Sequence, residues 1–570
     1  MRLFSDATVR AMLEEGWWTG ETWTDRFRQN VAANPESVAV VDAINKESFL
    51  KQQPTRLTWR ELDNAVDRCA ALFFENGLRP GDVIGVQIPN SVELVITYLA
   101  LNRIGVIISP YPMPYRRHEI ETLARIAGVR GFVTAAGFHS RVLIDIGEVA
   151  EDIEGADKVF VWHGQDDRGV PISLDEIRKE GPSPSPAYQG FLTDLRPHPN
   201  DCVLILFTSG TTGVPKGVPR AHGDSMVSAA TNVALPSLTP RDVVLNSMPM
   251  VNAGSIGGIF LPWLLSGCCL VQHQPFDLHT FARQIEQEKV TYTVVSPTVL
   301  NEMVAENSFF EQYDLSSMRC VGAGSAPISG WTIRRWEEDH GVEVINFFGA
   351  TEGLQLSADP DTVPDPSMRG KSLPVPGSPR FNWRTRMGRE SKVRLVDLAT
   401  GEDIVEPGRP GELRFKAPSL FSGYLGRIED AFDEQGYFST GDIFEYSADA
   451  PDMLVHVDRK KDLIIRGGLN ISAVEIETLL VGQPKVAEVA AIGRRDDRLG
   501  ERVCVFVVPR HSEDPPTLAD IQAHLDAGRV AKYKWPESVQ IVAALPRNPS
   551  GKVLKHELRR ELNGDASAVV

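Results

Sequence analysis

A repeated alternation of helical and extended patterning limits this fold more than any other feature. Thr58 and Glu61 form a capping box ahead of Leu62, Val66, Cys69 and Phe73, whose spacing gives one buried helical face. Gly77 closes that helix, and the apolar run Val83-Ile84-Gly85-Val86-Gln87-Ile88 follows as a strand. The alternation returns through 92–109 and again through 200–350. Strands separated by helices pair in parallel and are covered on their faces, so the pattern predicts an α/β fold of helix-covered sheets. The stretch 355–390, rich in Pro, Asp, Ser and Arg, is expected to be a long irregular excursion.

Past Asp458-Arg459-Lys460-Lys461-Asp462 the elements shorten. The spacing there predicts strand 463–465, helix 473–480, strands 487–492 and 502–508, helix 517–526, strand 539–543 and helix 553–562. The expected organisation is a large N-terminal domain over 1–458 and a small α+β domain over 459–570. A net charge of −17 disfavours nucleic acid and anionic membranes as partners. Any bound anion must therefore be held by local cations, distant acids being screened beyond about 8 Å. Cysteines 69, 202, 268, 269, 320 and 504 show no CxxC pair or metal-ligand spacing, and are expected to be buried free thiols of a reducing cytoplasm. The uncharged run from Gly254 to Val271 holds Gly257, Gly258, Pro262 and Gly267, so it is expected to be a buried strand-turn-helix rather than a membrane span.

The chemistry concentrates where the apolar run Cys202 to Phe207 breaks into Thr208-Ser209-Gly210-Thr211-Thr212-Gly213-Val214-Pro215-Lys216-Gly217. Glycines let backbone N–H groups crowd an anion, hydroxyls add donors and Lys216 supplies a point charge. It is not a Walker loop, since Gly210 and Gly213 bracket only two residues and Lys216 precedes Gly217. The stretch resembles the phosphate loop of the adenylate-forming superfamily, which includes acyl- and aryl-CoA ligases, peptide-synthetase adenylation domains and luciferases. Members join a carboxylate to AMP from ATP and pass the acyl group to a thiol.

Further segments carry the resemblance in family order. Asn346-Phe347-Phe348-Gly349-Ala350-Thr351-Glu352-Gly353 resembles the aromatic-Gly-x-Thr-Glu motif. That resemblance implies that Glu352 holds Mg²⁺, Thr351 touches the α-phosphate, and Phe348 and Gly349 flank the adenine. Gly322-Ala323-Gly324-Ser325-Ala326-Pro327 resembles the turn lining adenine and acid. Thr440-Gly441-Asp442 is similar to the motif whose Asp accepts both ribose hydroxyls. Arg459, Lys461, Arg466, Gly467 and Gly468 fall on the hinge and thiol-approach segment. The resemblance implies a nucleotide contact for Arg459, a hinge at Lys461 and room for pantetheine at Gly468. Pro549-Ser550-Gly551-Lys552 resembles the last motif, implying that Lys552 bridges the acid and the α-phosphate.

Tyr115 to Glu121, Val218 to His222 and Leu499 to Cys504 resemble the branch of 2,3-dihydroxybenzoate–AMP ligase and cyclic-acid CoA ligases. His222 itself is expected to pack rather than to act on the thiol. Aryl-acid ligases use a His-Asn pair where this chain has Asn252-Ala253. An ortho-hydroxyl would lose its partner there, at a cost of about 1–3 kcal/mol. The small residues Ala253, Gly254, Ser255, Gly257 and Gly258, with Gly322, Ala323 and Gly324 opposite and Phe347 beside them, are expected to leave room for a bulky alicyclic, aromatic or steroid-like acid. The expected substrates are that acid, ATP with Mg²⁺, and coenzyme A, with a homodimer left open. A carrier protein replaces coenzyme A under the rival reading. From another class, Ala253-Gly254-Ser255-Ile256-Gly257 resembles a nucleophile elbow, which would make Ser255 a hydrolase nucleophile.

Overall fold

The computed structural model describes residues 1–137, 142–164, 172–174, 184–208, 215–305, 309–426, 431–466, 469–496, 498–528, 530–547 and 552–563. The chain forms two compact units, one of Met1–Lys392 with Lys416–Phe438, the other of Val393–Phe415 with Ser439–Val570. The chain thus enters the smaller unit, returns to the larger one over Lys416–Phe438, and enters the smaller unit again.

The larger unit holds two sheets among the described residues. One has seven strands, in the order Ile172–Ser173, Lys158–Trp162, Gly131–Ala135, Val83–Gln87, Ile107–Pro110, Cys202–Thr208, Lys216–Ala221. All neighbours pair in parallel except the last two, which form a hairpin. The other has eight strands, with a parallel interior of Glu343–Gly349, Cys320–Ala323, Tyr292–Val295, Val243–Asn246, Cys269–Gln272 and Val38–Val41. Antiparallel strands Gln355–Ala358 and Arg56–Thr58 close its edges. The predicted helix spans Trp59–Glu75, with both halves of the Thr58/Glu61 box in place and Leu62, Val66, Cys69 and Phe73 buried. Each such side chain contributes about 1.5–3 kcal/mol of apolar transfer.

Two expectations are corrected. The excursion 355–390 carries short elements: strand Gln355–Ala358, helices Pro366–Lys371 and Arg386–Glu390, and strand Ser372–Pro374. Asp365 and Thr385 cap those helices through their side chains, a local signal that the polar composition concealed. Residues 254–271 run helix first and strand last: Ala253–Ser255, a π-helical turn Ile256–Phe260, helix Leu261–Ser266 and strand Cys269–Gln272. Pro262 sits where the π turn passes into the following helix, a place where the regular helical hydrogen-bond ladder is already interrupted. All six cysteines are free; five are buried and Cys269 is half-buried. No helix among the described residues is long and apolar enough to cross a membrane.

A buried charged knot links the two sheets. Lys46 Nζ donates to Asp42 Oδ2 (2.6 Å) and to both Glu93 oxygens (2.7 and 2.8 Å), with all three side chains fully buried. His163 Nε2 lies 3.1 Å from Glu93 Oε1. Asp42 follows a strand of one sheet, whereas Glu93 and His163 belong to elements packed on the other. Burial first, then the Glu93 charge, raises the Asp42 carboxyl despite Lys46.

In the smaller unit, strands Phe438–Tyr446 and Met453–Arg459 pair antiparallel within one sheet. A second sheet pairs Val486–Asp496 with Gly500–Pro509, flanked by Ile464–Arg466, Leu469–Ile471 and Ser538–Ile541. Alternation along Gly500–Pro509 sends Val503, Val505 and Val507 to one core, with Ile476, Leu480, Ile521 and Leu525. Cys504 and Phe506 face the other, with Leu545 and Leu558 of helix Lys555–Asn563.

Candidate functional site

The phosphate-loop candidate is the tip of the hairpin Cys202–Thr208/Lys216–Ala221, in which Thr208 and Lys216 face each other. Ser209, Gly210, Thr211, Thr212 and Gly213 lie outside the described residues. Lys216 Nζ sits 4.5 Å from the centre of the Tyr424 ring, a cation–π contact. The Leu425 N–H donates to the Gly217 carbonyl (2.9 Å), and a Cβ at Gly217 would crowd Leu425 Cβ at 3.2 Å. Arg220, on the same strand, is buried and holds three elements together. Its Nε donates to Asp224 (2.6 Å), and its two terminal nitrogens donate to the carbonyls of Thr351 (2.8 Å) and Ser419 (2.9 Å). His222 packs as expected: it is buried, accepts the Trp23 N–H at Nδ1 (3.2 Å), and burial pushes its pKa down to about 3.

Thr351 and Glu352 follow strand Glu343–Gly349, so they stand at the carboxyl ends of the parallel strands, where α/β sheets place their ligands. Gly353 adopts φ +103°, and a Cβ there would stand 1.9 Å from the Ser419 carbonyl oxygen, so only glycine fits. Ser419 Oγ donates to the Gly353 carbonyl (2.7 Å) and the Phe421 N–H to the Glu352 carbonyl (2.8 Å). The Glu352 side chain is buried, and Tyr424 Oη donates to its Oε1 (2.7 Å). Burial, followed by the Glu352 charge, raises the Tyr424 pKa, which keeps the phenol a donor. A single buried carboxylate suits Mg²⁺, which favours oxygen and arrives on phosphates using one or two carboxylates. No group of three or more metal-binding side chains occurs among the described residues.

The turn Gly324-Ser325-Ala326-Pro327 leaves the end of strand Cys320–Ala323, with Ser325 held at φ +74° and Ser325 to Pro327 exposed. Positive φ at a non-glycine residue is strain of the kind found at ligand sites. Phe348 and Gly349 end the neighbouring strand. Asn252 caps the helix Ala253–Ser255, its Oδ1 accepting the Ser255 N–H (2.9 Å). Gly257 and Gly258, on the π-helical turn, would each carry a Cβ into open space, and π turns often mark functional sites. Asn232 Nδ2 donates to the Gly257 carbonyl (2.9 Å), and Gln355 Nε2 in turn donates to Asn232 Oδ1 (2.6 Å).

The expectation of room at Gly322 and Ala323 is corrected. A Cβ at Gly322 would meet Phe347 Cε2 at 2.8 Å and Val294 Cγ2 at 3.0 Å, so the glycine admits the Phe347 ring. Ala323 belongs to the core with Val295 and Val321. Ser255 is no exposed nucleophile: its buried Oγ lies 2.8 Å from Asn246 Oδ1 and 3.1 Å from the Met248 carbonyl.

The sequence model of the AMP-binding enzyme family matches residues 27–425, and that of the AMP-binding enzyme C-terminal domain matches 475–552. The chain belongs to the AMP-binding enzymes. It is similar to pyochelin synthase PchD of Pseudomonas aeruginosa, 29% identical over 99% of this chain and 96% of that one. A salicylyl-CoA synthase/salicylate adenylyltransferase of Streptomyces sp is 30% identical over 98% of this chain and 96% of its own length. Among solved structures, ATP-bound MatB from Rhodopseudomonas palustris superposes with a TM-score of 0.76 at 25% identity, covering 95% of this chain and 99% of that one. This AMP-binding enzyme is an ATP-using, adenylate-forming acid ligase.

In its smaller unit, the antiparallel register sets Asp442 directly opposite Arg459. Asp442 is buried, and its Oδ1 lies 3.0 Å from Arg459 Nε as an ion pair whose N–H is not aimed along a hydrogen bond. An acceptor with unused lone pairs suits vicinal hydroxyls. Burial, then the Arg459 and Arg559 charges, lowers the Lys461 pKa, with neighbouring Asp462 opposing. Lys552 is held down to about 8 by burial and by the like charges of Arg459 and Lys461. Its side chain still reaches solvent, so the like charges are the firmer of these causes. Arg466 is held by Glu537, which Arg502 shares, while Gly467 and Gly468 lie outside the described residues.

Sequence reasoning gave no role to Tyr424, to Arg220 or to the Asn232–Gln355 pair. None of them left a local signal: Arg220 lies on a strand and Asp224 on the next helix, so their spacing is not a helical pair.

Proposed function

We propose that the enzyme is a carboxylic acid–CoA ligase acting through an acyl-adenylate on a bulky cyclic acid. The substrate carboxylate attacks the α-phosphorus of MgATP, and pyrophosphate leaves. Lys216 and the hydroxyl loop steady the departing phosphates, Thr351 meets the α-phosphate, and Lys552 offsets charge on the reacting oxygens. Magnesium neutralises phosphate charge, and Glu352 would hold it. Asp442 and Arg459 hold the ribose, while Gly324 to Pro327, Phe348 and Gly349 line the adenine. The domain beyond residue 458 then turns about Lys461, withdrawing Lys552 and presenting the Gly467-Gly468 segment to coenzyme A. The thiol sulfur attacks the acyl carbon and loses its proton to solvent, the acyl C–O bond breaks, and AMP departs carrying the bridging oxygen that the acid contributed.

The open space at Gly257 and Gly258 carries the reading of acid size. Asn252 Oδ1 already serves the Ser255 N–H, which supports a substrate without an ortho-hydroxyl. A carrier-protein acceptor is the second reading, favoured by likeness to a salicyl-AMP ligase/salicyl-S-ArCP synthetase of Mycobacterium tuberculosis, 28% identical over 96% of this chain. The deciding experiment incubates the enzyme with MgATP, coenzyme A and a pool of carboxylic acids, and weighs the products. Acyl-CoA and AMP from a cyclic acid are expected. Acyl-AMP that persists beside coenzyme A would favour the carrier reading, and a clear preference for acetate would overturn the bulky-acid assignment.

A further inference from the structure

Residues Ser419 to Leu425 form a strap that ties the phosphate hairpin to the Thr351–Gly353 turn. Ser419 grips Gly353 through its hydroxyl, Phe421 holds the Glu352 carbonyl, and Leu425 holds Gly217. Arg220 locks the same junction from beneath by reaching Thr351 and Ser419 together. Tyr424 stands in the middle, touching both charged groups. Its hydroxyl donates to Glu352 Oε1 at 2.7 Å, and its ring lies beneath Lys216 Nζ at 4.5 Å.

We propose that Tyr424 is a positioning residue for the metal–phosphate end of the site, fixing the Glu352 carboxylate and the Lys216 ammonium with one side chain. The proposal rests on the ligase reading for the roles of those two residues. A phenol donating to Oε1 fixes the carboxylate plane and leaves Oε2 to face a cation. The ring face attracts the ammonium without neutralising it, whereas a carboxylate in its place would cancel the charge that the phosphates need. Attaching both groups to one rigid aromatic fixes their separation, which two independent flexible side chains could not do.

The test measures ATP affinity with Mg²⁺ and with EDTA, for wild type, Tyr424→Phe, Tyr424→Leu, Glu352→Gln and the double variant Tyr424→Phe/Glu352→Gln. Melting temperatures verify folding. Tyr424→Phe keeps the ring and is expected to lose about tenfold of the Mg²⁺-dependent gain in affinity, as for one hydrogen bond to a charged group. Its affinity in EDTA should stay at the wild-type value. Tyr424→Leu should weaken ATP in EDTA as well, because Lys216 loses its platform. The double variant should be no worse than Glu352→Gln alone, since the tyrosine acts through the glutamate. A Tyr424→Phe protein that retains the full Mg²⁺ gain overturns the proposal. So does additivity in the double variant, or a wild type whose ATP affinity ignores Mg²⁺. Acid-dependent pyrophosphate exchange by the wild type tests the ligase reading separately: its absence with MgATP binding intact sinks that reading and leaves the tyrosine comparison standing.

Discussion

Lys552 holds its proton less tightly than an ordinary lysine. With its pKa lowered to about 8, the cation is mostly present at pH 7 and mostly lost by pH 9. Pyrophosphate exchange should therefore fall as pH rises through about 8, while thiolysis of supplied acyl-adenylate should not follow that limb. Stopped assays of the two half-reactions across pH 6–9.5 check this, and Lys552→Arg should move the exchange limb beyond the measured range. At this scale the sequence singled out Lys216, Glu352 and Asp442 by residue type, and the structure puts Lys216 at a strand start, Glu352 in the turn after a strand and Asp442 in mid-strand, with both carboxylates buried. Tyr424 was not legible, because a tyrosine in a Gly-Tyr pair declares nothing until the chain brings Glu352 and Lys216 to it from 72 and 208 residues away.

At the scale of elements, the knot of Lys46, Asp42 and Glu93 decides how the two sheets of the larger unit meet. Removing one partner from a buried ion cluster leaves uncompensated charge, so Lys46→Met should destabilise the fold by about 3–5 kcal/mol in urea unfolding. The lesion should ease as pH falls, because the Asp42 carboxyl, raised by burial, can then take up a proton. The helix Trp59–Glu75 and the elements beyond Asp462 were legible because caps and alternation are local signals. Short capped helices in 366–390 and the π turn at Ile256–Phe260 were not, since polar composition masks the first and no residue pattern marks the second. Gly322 misled for a related reason: a glycine that admits a neighbouring ring reads the same as one that admits a ligand.

The whole molecule is divided in space but not in sequence, because Lys416–Phe438 belongs to the larger unit while both of its flanks belong to the smaller. In native-state hydrogen exchange, the amides of Phe421 and Leu425 should open together with strand Lys216–Ala221, and not with the flanking strands Gly411–Lys416 and Phe438–Tyr446. The family alternation made the two-unit plan legible, whereas the interleaving is invisible to any reading that draws one boundary. That interleaving sets a timetable for biosynthesis. When Lys392 leaves the ribosome, the hairpin with Lys216 and the turn with Glu352 have both been made, yet neither has the tyrosine that links them. The nascent chain must first spin out Val393–Phe415, a portion of its other unit, before the strap arrives. A growing chain therefore completes the Lys216–Tyr424–Glu352 contact late, after most of the larger unit has already emerged.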